Sequence, residues 1–265
     1  MVKQADKITI MTMTRSELDT FFCQLLSPDK FADYGPNGLQ IEGNDAISRI
    51  AFAVSATAES ISQAVSQEAQ ALVVHHGLFW KFHGSKILAG AFAQRVFPLV
   101  RHYINLFAYH LPLDGHAEVG NAAVLGRYIG LTQQSSFGDY KGCPTGVQGQ
   151  LEPPVTARQL QQQLTTVLAH PVLLATPNEN AWVSNVGIIT GGANSEWRQA
   201  LTQGLDAYIT GEMSEHDWHE SQEAGIHMYA GGHNATEQFG IQALMQQVQA
   251  QFSVDCFFIP SINPA

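Results

Sequence analysis

The sequence has little basic charge. Its 265 residues include 13 lysines and arginines against 23 aspartates and glutamates, which gives a formal net charge of −10. A protein that holds the phosphate backbone of a nucleic acid needs a basic face, so this balance argues against nucleic acid as a partner. Charged residues of both signs make up only 14% of the chain, so uncharged polar side chains must cover much of its surface.

Cysteines are few, and long apolar runs are missing. Cys23, Cys143 and Cys256 are far apart and odd in number, and they form no Cys-x-x-Cys pair. This pattern argues against a disulfide framework and favours free thiols in a reducing compartment. No apolar run approaches the length of a membrane span, and residues 1–13 contain no apolar signal core. We therefore expect a cytoplasmic protein with no membrane partner.

The hydrophobic residues, which make up 45% of the chain, follow an internal repeat. The first half predicts a strand over residues 50–55, a helix over 58–69 and a strand over 71–74. A shift of 136 residues brings the pattern back as a strand over 186–191, a helix over 196–203 and a strand over 207–210. Strands that are apolar throughout are typical of a nearly buried parallel sheet.

The segments around this unit repeat as well. Thr14 and Thr156 each open an amphipathic helix with a capping box. After the repeated unit, one further strand is predicted over residues 104–108 and its counterpart over 227–230. Because all these matches come in the same order, duplication explains them better than chance.

The predicted fold class is therefore α/β, with two related lobes derived from a duplication. We place the first lobe at residues 1–130 and the second at residues 131–265, and the C-terminal segment can pack back on the first lobe. Each lobe should hold a mixed or mostly parallel sheet flanked by helices. Ligand groups in open α/β sheets gather at the C-terminal ends of the strands, so a site is expected in the cleft between the lobes.

Two adjacent histidines, His75 and His76, end the apolar strand over 71–74. Neighbouring side chains on an extended strand point to opposite faces, so both can reach one site only if the chain turns there. Gly77 permits such a turn. Taken alone, the pair is more often structural, but its place at a strand end favours metal ligation.

A second candidate pair lies far downstream, where His233 and Glu237 are four residues apart. If Asn234 or Thr236 opens a helix, both side chains lie on its first turn. Histidine and glutamate at this spacing also form ordinary surface contacts. The pair gains weight because the sequence supplies other candidate ligands at strand ends.

Asp114 is the fifth candidate. It follows Pro112, which we expect to break any helix, so Asp114 is predicted to lie in a loop with its carboxylate exposed. The alternative is an ordinary turn aspartate. The five candidates together exceed the needs of one open tetrahedral site and suit two ions that share a bridging carboxylate. Imidazole and carboxylate ligands accept Zn, Fe, Mn, Co and Ni, so the native metal stays open.

Other polar groups close to these positions could move protons or hold the ligands. His110 precedes Asp114, and the segment 211–216, which contains Glu212 and His216, occupies the repeat position of His75 and His76, with His75-His76 falling on Gly211-Glu212. Gly191 and Gly192 follow a strand and suggest a close backbone approach to a ligand such as a phosphate. The turn-rich segment 33–40 is interpreted as a structured loop in preference to a substrate-binding segment.

Five motifs carry a resemblance to a known family. They are Asp33–Gly43 (DYGPNGLQIEG), Val74–Lys81 (VHHGLFWK), His110–Asp114 (HLPLD), Thr210–Glu215 (TGEMSE) and Gly232–Gly240 (GHNATEQFG). Together they resemble the YbgI-type family, whose members are described as GTP cyclohydrolase I type 2 or as dinuclear metal-binding proteins. The resemblance extends from about Thr14 to the end of the sequence and is weakest between about Leu131 and Asn180.

This resemblance implies two α/β lobes, a toroidal hexamer with metal sites that face an inner cavity, and two divalent ions per subunit. The implied ligands are His75, His76, Asp114, His233 and Glu237. The family name implies metal-assisted opening of a guanine-type ring, whereas other members are linked to transcription and DNA repair. We therefore expect a metal-dependent hydrolase of a nucleotide-like or otherwise polar small molecule. The alternative is a non-catalytic metal-binding regulatory or scaffold protein.

Overall fold

The computed structural model describes residues 12–265, so residues 1–11 lie outside the described part of the chain. The strands are β1 (Met13–Thr14), β2 (Gly38–Ile41), β3 (Ala46–Ile47), β4 (Arg49–Ser55), β5 (Ala71–His76), β6 (Asn105–Ala108), β7 (Leu131–Tyr140), β8 (Cys143–Thr156), β9 (Leu173–Ala175), β10 (Trp182–Ile188), β11 (Ala207–Thr210), β12 (His227–Ala230) and β13 (Asp255–Phe258). The helices are α1 (Arg15–Leu26), α2 (Ala58–Ser66), α3 (Gly90–Arg101), α4 (Leu111–Asp114), α5 (Asn121–Tyr128), α6 (Ala157–Leu168), α7 (Trp197–Thr202), α8 (Glu215–Glu223) and α9 (His233–Gln251).

The first large sheet has five strands in the order β13–β4–β5–β6–β2. Its central strands β4, β5 and β6 are parallel. Alternate side chains of β5 enter two different cores, with Val73 packed in the core that includes α1 and α9 and Val74 in the core that includes α2 and α3. Both faces are thus covered by helices, which explains why the sequence of this strand is apolar without alternation.

The second large sheet has six strands in the order β7–β8–β10–β11–β12–β9. Here β10, β11 and β12 are parallel, whereas β8 and β9 pair antiparallel with β10 and β12. One face packs on α6 through Leu160, Leu164 and Leu168, and the other packs on α7 through Trp197. These mixed sheets flanked by helices confirm the predicted α/β class.

Each sheet contains three parallel strands joined by helices, β4–α2–β5–α3–β6 in one and β10–α7–β11–α8–β12 in the other. This arrangement is consistent with a duplication. The predicted capping boxes at Thr14 and Thr156 are both present. The last strand, β13, pairs with β4, so the C-terminal segment joins the first sheet. Within residues 12–265, no helix is both long enough and apolar enough to cross a membrane.

One local prediction is wrong. The segment before Asp114 forms the short helix α4 rather than a loop, and the Asp114 carboxylate is buried rather than exposed. Pro112 lies in the first turn of this helix, where the missing N–H has no helical partner to lose and the fixed φ suits the helix. Proline therefore starts this turn of helix instead of breaking it, and Asp114 at its end is directed into the protein.

Candidate metal centre

The five predicted ligand side chains meet where the strands of both sheets end. His75 and His76 are the last residues of β5, and Asp114 closes α4, which follows β6. His233 and Glu237 lie on the first turns of α9, directly after β12. Parallel strands bring their C-terminal ends to one edge of a sheet, and here the edges of the two sheets contribute to one cluster.

Glu237 lies at the centre of this cluster. Its Oε1 atom is 3.5 Å from Nε2 of His75, and its Oε2 atom is 3.2 Å from Nε2 of His76 and 3.2 Å from Nε2 of His233. Nε2 of His75 is also 3.5 Å from Oδ2 of Asp114.

Three groups of possible metal ligands result within the described residues, and Glu237 belongs to two of them. One of these two consists of His75, Asp114 and Glu237, and the other of His76, His233 and Glu237. The third group consists of His75, His76 and His110. The ligand atoms within each group lie within 4.8 Å of one another. A carboxylate shared by two such groups is the arrangement expected of a bridging ligand.

Each histidine in the cluster is held through its Nδ1 atom. His75 Nδ1 lies 3.0 Å from the carbonyl oxygen of Tyr109, and His233 Nδ1 lies 2.5 Å from Oε1 of Glu212. Both partners only accept hydrogen bonds, so both Nδ1 atoms carry the proton and both rings direct Nε2 towards Glu237. Nδ1 of His76 lies 2.9 Å from Oγ of Ser55, a hydroxyl that can either donate to this nitrogen or accept from it. Such contacts fix the tautomer and orientation of metal-binding histidines.

Two buried atoms show that the cluster is not satisfied by the protein alone. Nε2 of His75 and Oε2 of Glu237 make no hydrogen bond of acceptable geometry within the described part of the chain, although oppositely charged groups face them. Buried polar atoms are normally hydrogen-bonded because desolvation without a partner is costly. Unpaired imidazole nitrogens and carboxylate oxygens that converge on one space fit a borderline divalent cation.

The charges of the cluster are coupled. Burial lowers the pKa of His75, but the carboxylates of Asp114 and Glu237 outweigh that effect and raise the pKa to about 9. The pKa of His233 also rises to about 9, since Glu237 and Glu212 overcome the effect of burial. Burial lowers the pKa of His76 to about 3, so this ring is uncharged at neutral pH. Burial disfavours the charge of Glu237, yet the neighbouring histidines hold the pKa of Glu237 well below its usual value.

The close contact between the segment after β10 and the start of α9 depends on Gly191. Its φ angle is +69°, and a Cβ atom at this position would lie 2.1 Å from Oε1 of Glu237. The sequence suggested that these glycines allow the backbone to approach a ligand such as a phosphate. In the structure they allow it to approach Glu237 and His233.

The other candidates occupy different positions. His110 lines the cavity beside the cluster, and Nδ1 of this ring is 2.7 Å from Oδ1 of Asp33. Glu212 also lines the cavity and orients His233. His216 lies outside the cavity, where its Nε2 atom is 3.5 Å from Oδ1 of Asp217.

Sequence reasoning missed the part that Asp33 plays. Asp33 is buried and accepts hydrogen bonds from the N–H of Leu111 and the side-chain amide of Asn37 in addition to its contact with His110. Residues 33–37 form a structured loop that leads into β2, and this loop also orients a side chain of the site. Its position at the start of one of the five specific motifs was the available signal.

A cavity of about 620 Å³ opens next to the cluster. Tyr34, Trp80, Phe82 and Tyr140 provide aromatic walls, and Asp139 and Glu196 provide acidic ones. The backbone of the C-terminal segment reaches the rim, where the N–H of Asn234 donates to the backbone oxygen of Ala265 over 3.0 Å. The candidate metal centre is therefore open to a small molecule.

The chain is similar in sequence and in fold to members of one protein family. The sequence profile of the Duf34/NIF3 (NGG1p interacting factor 3) family matches residues 13–264. A GTP cyclohydrolase 1 type 2 homolog from Yersinia pestis is 38% identical over 253 residues, which cover 96% of this chain and 100% of that protein. The homolog from Haemophilus influenzae is 37% identical with the same coverage. The solved structure of protein ybgI, described as of unknown function, superposes with a TM-score of 0.88 at 37% identity, over 96% of this chain and 100% of that one.

Proposed function

This chain belongs to the Duf34/NIF3 family, and from that premise we propose that it is a dinuclear metal-binding protein that acts as a metal-dependent hydrolase. The proposed substrate is a nucleotide-like or otherwise polar small molecule. The observation that carries the proposal is the position of Glu237, whose two carboxylate oxygens face three imidazole nitrogens in a buried cluster beside an open cavity. The names of the curated relatives support a cyclohydrolase-like reaction.

In this proposal the two overlapping groups each hold one divalent ion, Zn, Fe, Mn, Co or Ni. Ions held there would supply Lewis acidity and lower the pKa of water at the site. Tyr109 and Glu212 hold the Nδ1–H groups of His75 and His233, so Nε2 is the atom of each ring that would bind an ion, which would displace the proton that Nε2 carries in the metal-free cluster. Glu212 thus has an orienting role.

His110 is the residue we propose for proton transfer. Its ring lies 5.0 Å from the ring of His75 and 5.7 Å from that of His76, and it lines the cavity. Asp33 holds its Nδ1 atom, which leaves Nε2 as the atom that can take a proton from the substrate or return one to it. His216 has no part in this proposal because it lies outside the cavity.

The decisive experiment measures metal content and turnover on the same samples. Wild-type protein, dialysed and reconstituted with each metal, should retain about two ions per chain. Glu237→Gln should lose most of this metal, because the amide removes the negative charge shared by both groups. His219→Ala is the matched control, since His219 lies on the exposed surface of α8 and outside the cavity.

Turnover is then screened with nucleotides, pteridine precursors and phosphoesters. Hydrolysis that requires metal and disappears in Glu237→Gln and His76→Ala supports the proposal. Hydrolysis that survives both substitutions would come from a contaminant. A wild-type protein that neither contains metal nor takes it up contradicts the proposal at its base.

A second candidate is a non-catalytic metal-binding regulatory or scaffold protein. The observation that favours it is the family description, which names an interaction with another protein rather than a reaction. The same experiment separates the two, because stoichiometric metal without turnover on any of these compounds supports the second candidate.

We further propose that the chain forms a closed homo-oligomer, a toroidal hexamer in which the cavities face inward. The support within one subunit is a set of exposed apolar side chains within α3 and directly before and after it. They include Ile87, Leu88, Phe97, Val100 and Tyr103. Apolar surface of this kind on a single segment is a common feature of subunit interfaces.

A further inference from the structure

Four aromatic side chains beside the candidate metal centre form what we call the aromatic ledge, namely Tyr34, Trp80, Phe82 and Tyr140. Trp80 and Phe82 are stacked, with ring centroids 5.6 Å apart and planes inclined by 20°. The rings of Tyr34 and Tyr140 lie 5.0 Å apart. Trp80 is 6.1 Å from the ring of His76, so the ledge starts at the metal-ligand cluster and leads away from it.

Core packing does not account for the ledge. The side chain of Phe82 is 68% exposed and that of Tyr34 is 40% exposed, yet both face the cavity. Exposed aromatic faces that line a concave site offer a stacking surface to a flat ring. Bases bound by proteins gain much of their affinity from stacking on aromatic side chains.

The electrostatics of the cavity are acidic. Five carboxylates line it, from Asp114, Asp139, Glu196, Glu212 and Glu237. Among the lining residues that the structure describes there is no lysine and no arginine. Even two bound divalent ions would not give the cavity an excess of positive charge over these carboxylates.

The nearby cations and backbone donors do not change this picture. Lys81 donates from Nζ to the backbone oxygen of Asp33 over 2.7 Å. Lys141 lies over the ring of Tyr140 with Nζ 5.0 Å from the centroid, at the outer end of the ledge. The N–H of Asn234 at the start of α9, which could have met an anion, donates to Ala265.

From the ledge and the acidic wall together we propose the substrate class of this site. It is a planar nitrogen heterocycle without net negative charge, such as a free nucleobase, a nucleoside or a pterin, and it is not a nucleoside triphosphate. The inference rests on the hydrolase function proposed above. The flat ring stacks on Trp80 and Phe82 next to the metal centre, and the ring N–H groups face carboxylates such as Glu196, whereas a triphosphate would be repelled by the same carboxylates.

Binding is tested on protein reconstituted with Mn²⁺, by calorimetric titration with guanosine, GTP and inorganic tripolyphosphate. We expect guanosine to bind at least about tenfold more tightly than GTP, and tripolyphosphate not to displace guanosine. Because GTP itself binds divalent ions, the metal content of the protein is measured after every titration.

Two pairs of variants locate the effect. Phe82→Ala should weaken guanosine binding about tenfold. Trp182→Ala is its control and should leave binding unchanged, because Trp182 is also 68% exposed but lies outside the cavity. Glu196→Gln should improve GTP binding about threefold, whereas Glu223→Gln, an exposed carboxylate outside the cavity, should not.

Equal or tighter binding of GTP, displacement by tripolyphosphate, or no binding of guanosine to the metal-loaded protein would each overturn the inference. GTP binding as tight as that of guanosine and dependent on Lys141 would overturn it as well, and would place the phosphates at the outer end of the ledge. These results are separable from the proposed function. Hydrolysis of a phosphorylated substrate would uphold the hydrolase function and reject the neutral substrate class. Guanosine binding without turnover of any heterocycle would uphold the preference for a neutral ring and reject the hydrolase function.

Discussion

His110 and Asp33 are separated by 77 residues in the chain, yet Nδ1 of His110 lies 2.7 Å from Oδ1 of Asp33. The second oxygen of Asp33 accepts hydrogen bonds from the N–H of Leu111 and from the amide of Asn37. One carboxylate therefore joins the loop that carries Tyr34, one of the four residues of the aromatic ledge, to the start of α4, which ends at Asp114. The metal-ligand cluster and the cavity wall are held in register by this side chain.

Replacing Asp33 should reveal this role through a pH-dependent loss of stability. Burial opposes ionisation of Asp33, but His110, Asn37 and the N–H of Leu111 stabilise the carboxylate and hold its pKa below the usual value. Such a group stabilises the fold above its unfolded pKa of about 3.9, and the contribution disappears as the pH falls through the lower folded pKa. Asp33→Asn should therefore lower the free energy of unfolding by about 2 kcal/mol at pH 7.

Urea unfolding of wild type and Asp33→Asn at a series of pH values measures the difference. It should shrink as the pH is lowered below about 4, because the wild-type carboxylate is then protonated as well. Asp29→Asn, at an exposed position of the neighbouring turn, is the control and should change stability little. A difference that stays constant down to acid pH would mean that the charge of Asp33 has no part in the effect.

Glu212 should affect metal affinity rather than the fold. Its half-exposed carboxylate accepts a hydrogen bond from Nδ1 of His233. His233 belongs to only one of the two ligand groups that share Glu237, so Glu212 acts on that group alone. Glu212→Gln should lower the affinity for one of the two ions by about 10–100-fold and leave the other nearly unchanged. Competition with a metal chelator measures this, with Glu215→Gln as the control on the exposed surface of α8. Equal weakening of both ions would contradict the assignment of the two groups.

Several features of the fold and the site could be predicted from the sequence because they depend on residues that are close together along the chain. The apolar runs predicted the parallel strands, and the threonines at positions 14 and 156 predicted the starts of α1 and α6. The spacing of His233 and Glu237 placed both on the first turns of a helix, which the structure begins at His233 itself. Because histidines follow the ends of predicted strands, the sequence also predicted a site at the C-terminal ends of the strands, between the two lobes.

The features that could not be predicted from the sequence depend on contacts between segments that are far apart along the chain. Asp33 has the pattern of an ordinary turn residue, and nothing local distinguishes a turn aspartate from one that also binds His110. The sequence around Pro112 predicts a helix break, whereas the actual effect of a proline depends on its position in the helical turn, which only the surrounding fold determines. The same limit applies to Gly191, whose neighbour Glu237 comes from another element.

Gly191 provides a test of close approach with a matched control. Gly191 and Gly204 have φ angles of +69° and +71°, but a Cβ atom would clash with Glu237 at the first position and meet open space at the second. Gly204→Ala should therefore show backbone strain alone, about 1 kcal/mol. Gly191→Ala should cost more and also displace Glu237.

Thermal unfolding and metal content are measured for both glycine variants. The Gly191→Ala protein should retain less metal than wild type, whereas Gly204→Ala should keep about two ions per chain. If both variants lost the same stability and the same metal, the strain of a positive φ would explain both. The proposed contact between residue 191 and the carboxylate of Glu237 would then be unnecessary.

The proposed hexamer can be tested at Ile87, whose side chain is 84% exposed in the subunit. Light scattering of the wild type should give about six times the chain mass of 28.9 kDa. Ile87→Glu should cost the isolated subunit little, but it would bury a charge in an apolar interface and so shift the protein to smaller species. Leu173→Glu, at a side chain that is 57% exposed on β9, is the control. A monomeric wild type would reject the proposed assembly.

The protein should not bind duplex DNA tightly. Its net charge of −10 repels phosphates at long range, and a toroid could compensate only by lining its hole with basic residues. The residues available in one segment are Lys81, Lys86, Arg95 and Arg101. Of these, Lys81 donates to Asp33, and Lys86 donates to the backbone oxygen of Leu78 and lies over a phenylalanine ring, so both already contribute to local structure.

Fluorescence anisotropy with a labelled duplex near physiological salt measures this directly. We expect no saturation below the micromolar range, and little change when Lys86 is replaced by glutamine. Sub-micromolar binding that weakened steeply with salt would show that phosphates are neutralised by several cations. That result would support a role connected with DNA over hydrolysis of a small molecule, and loss of binding in Lys86→Gln would place the contact on the segment between β5 and α3.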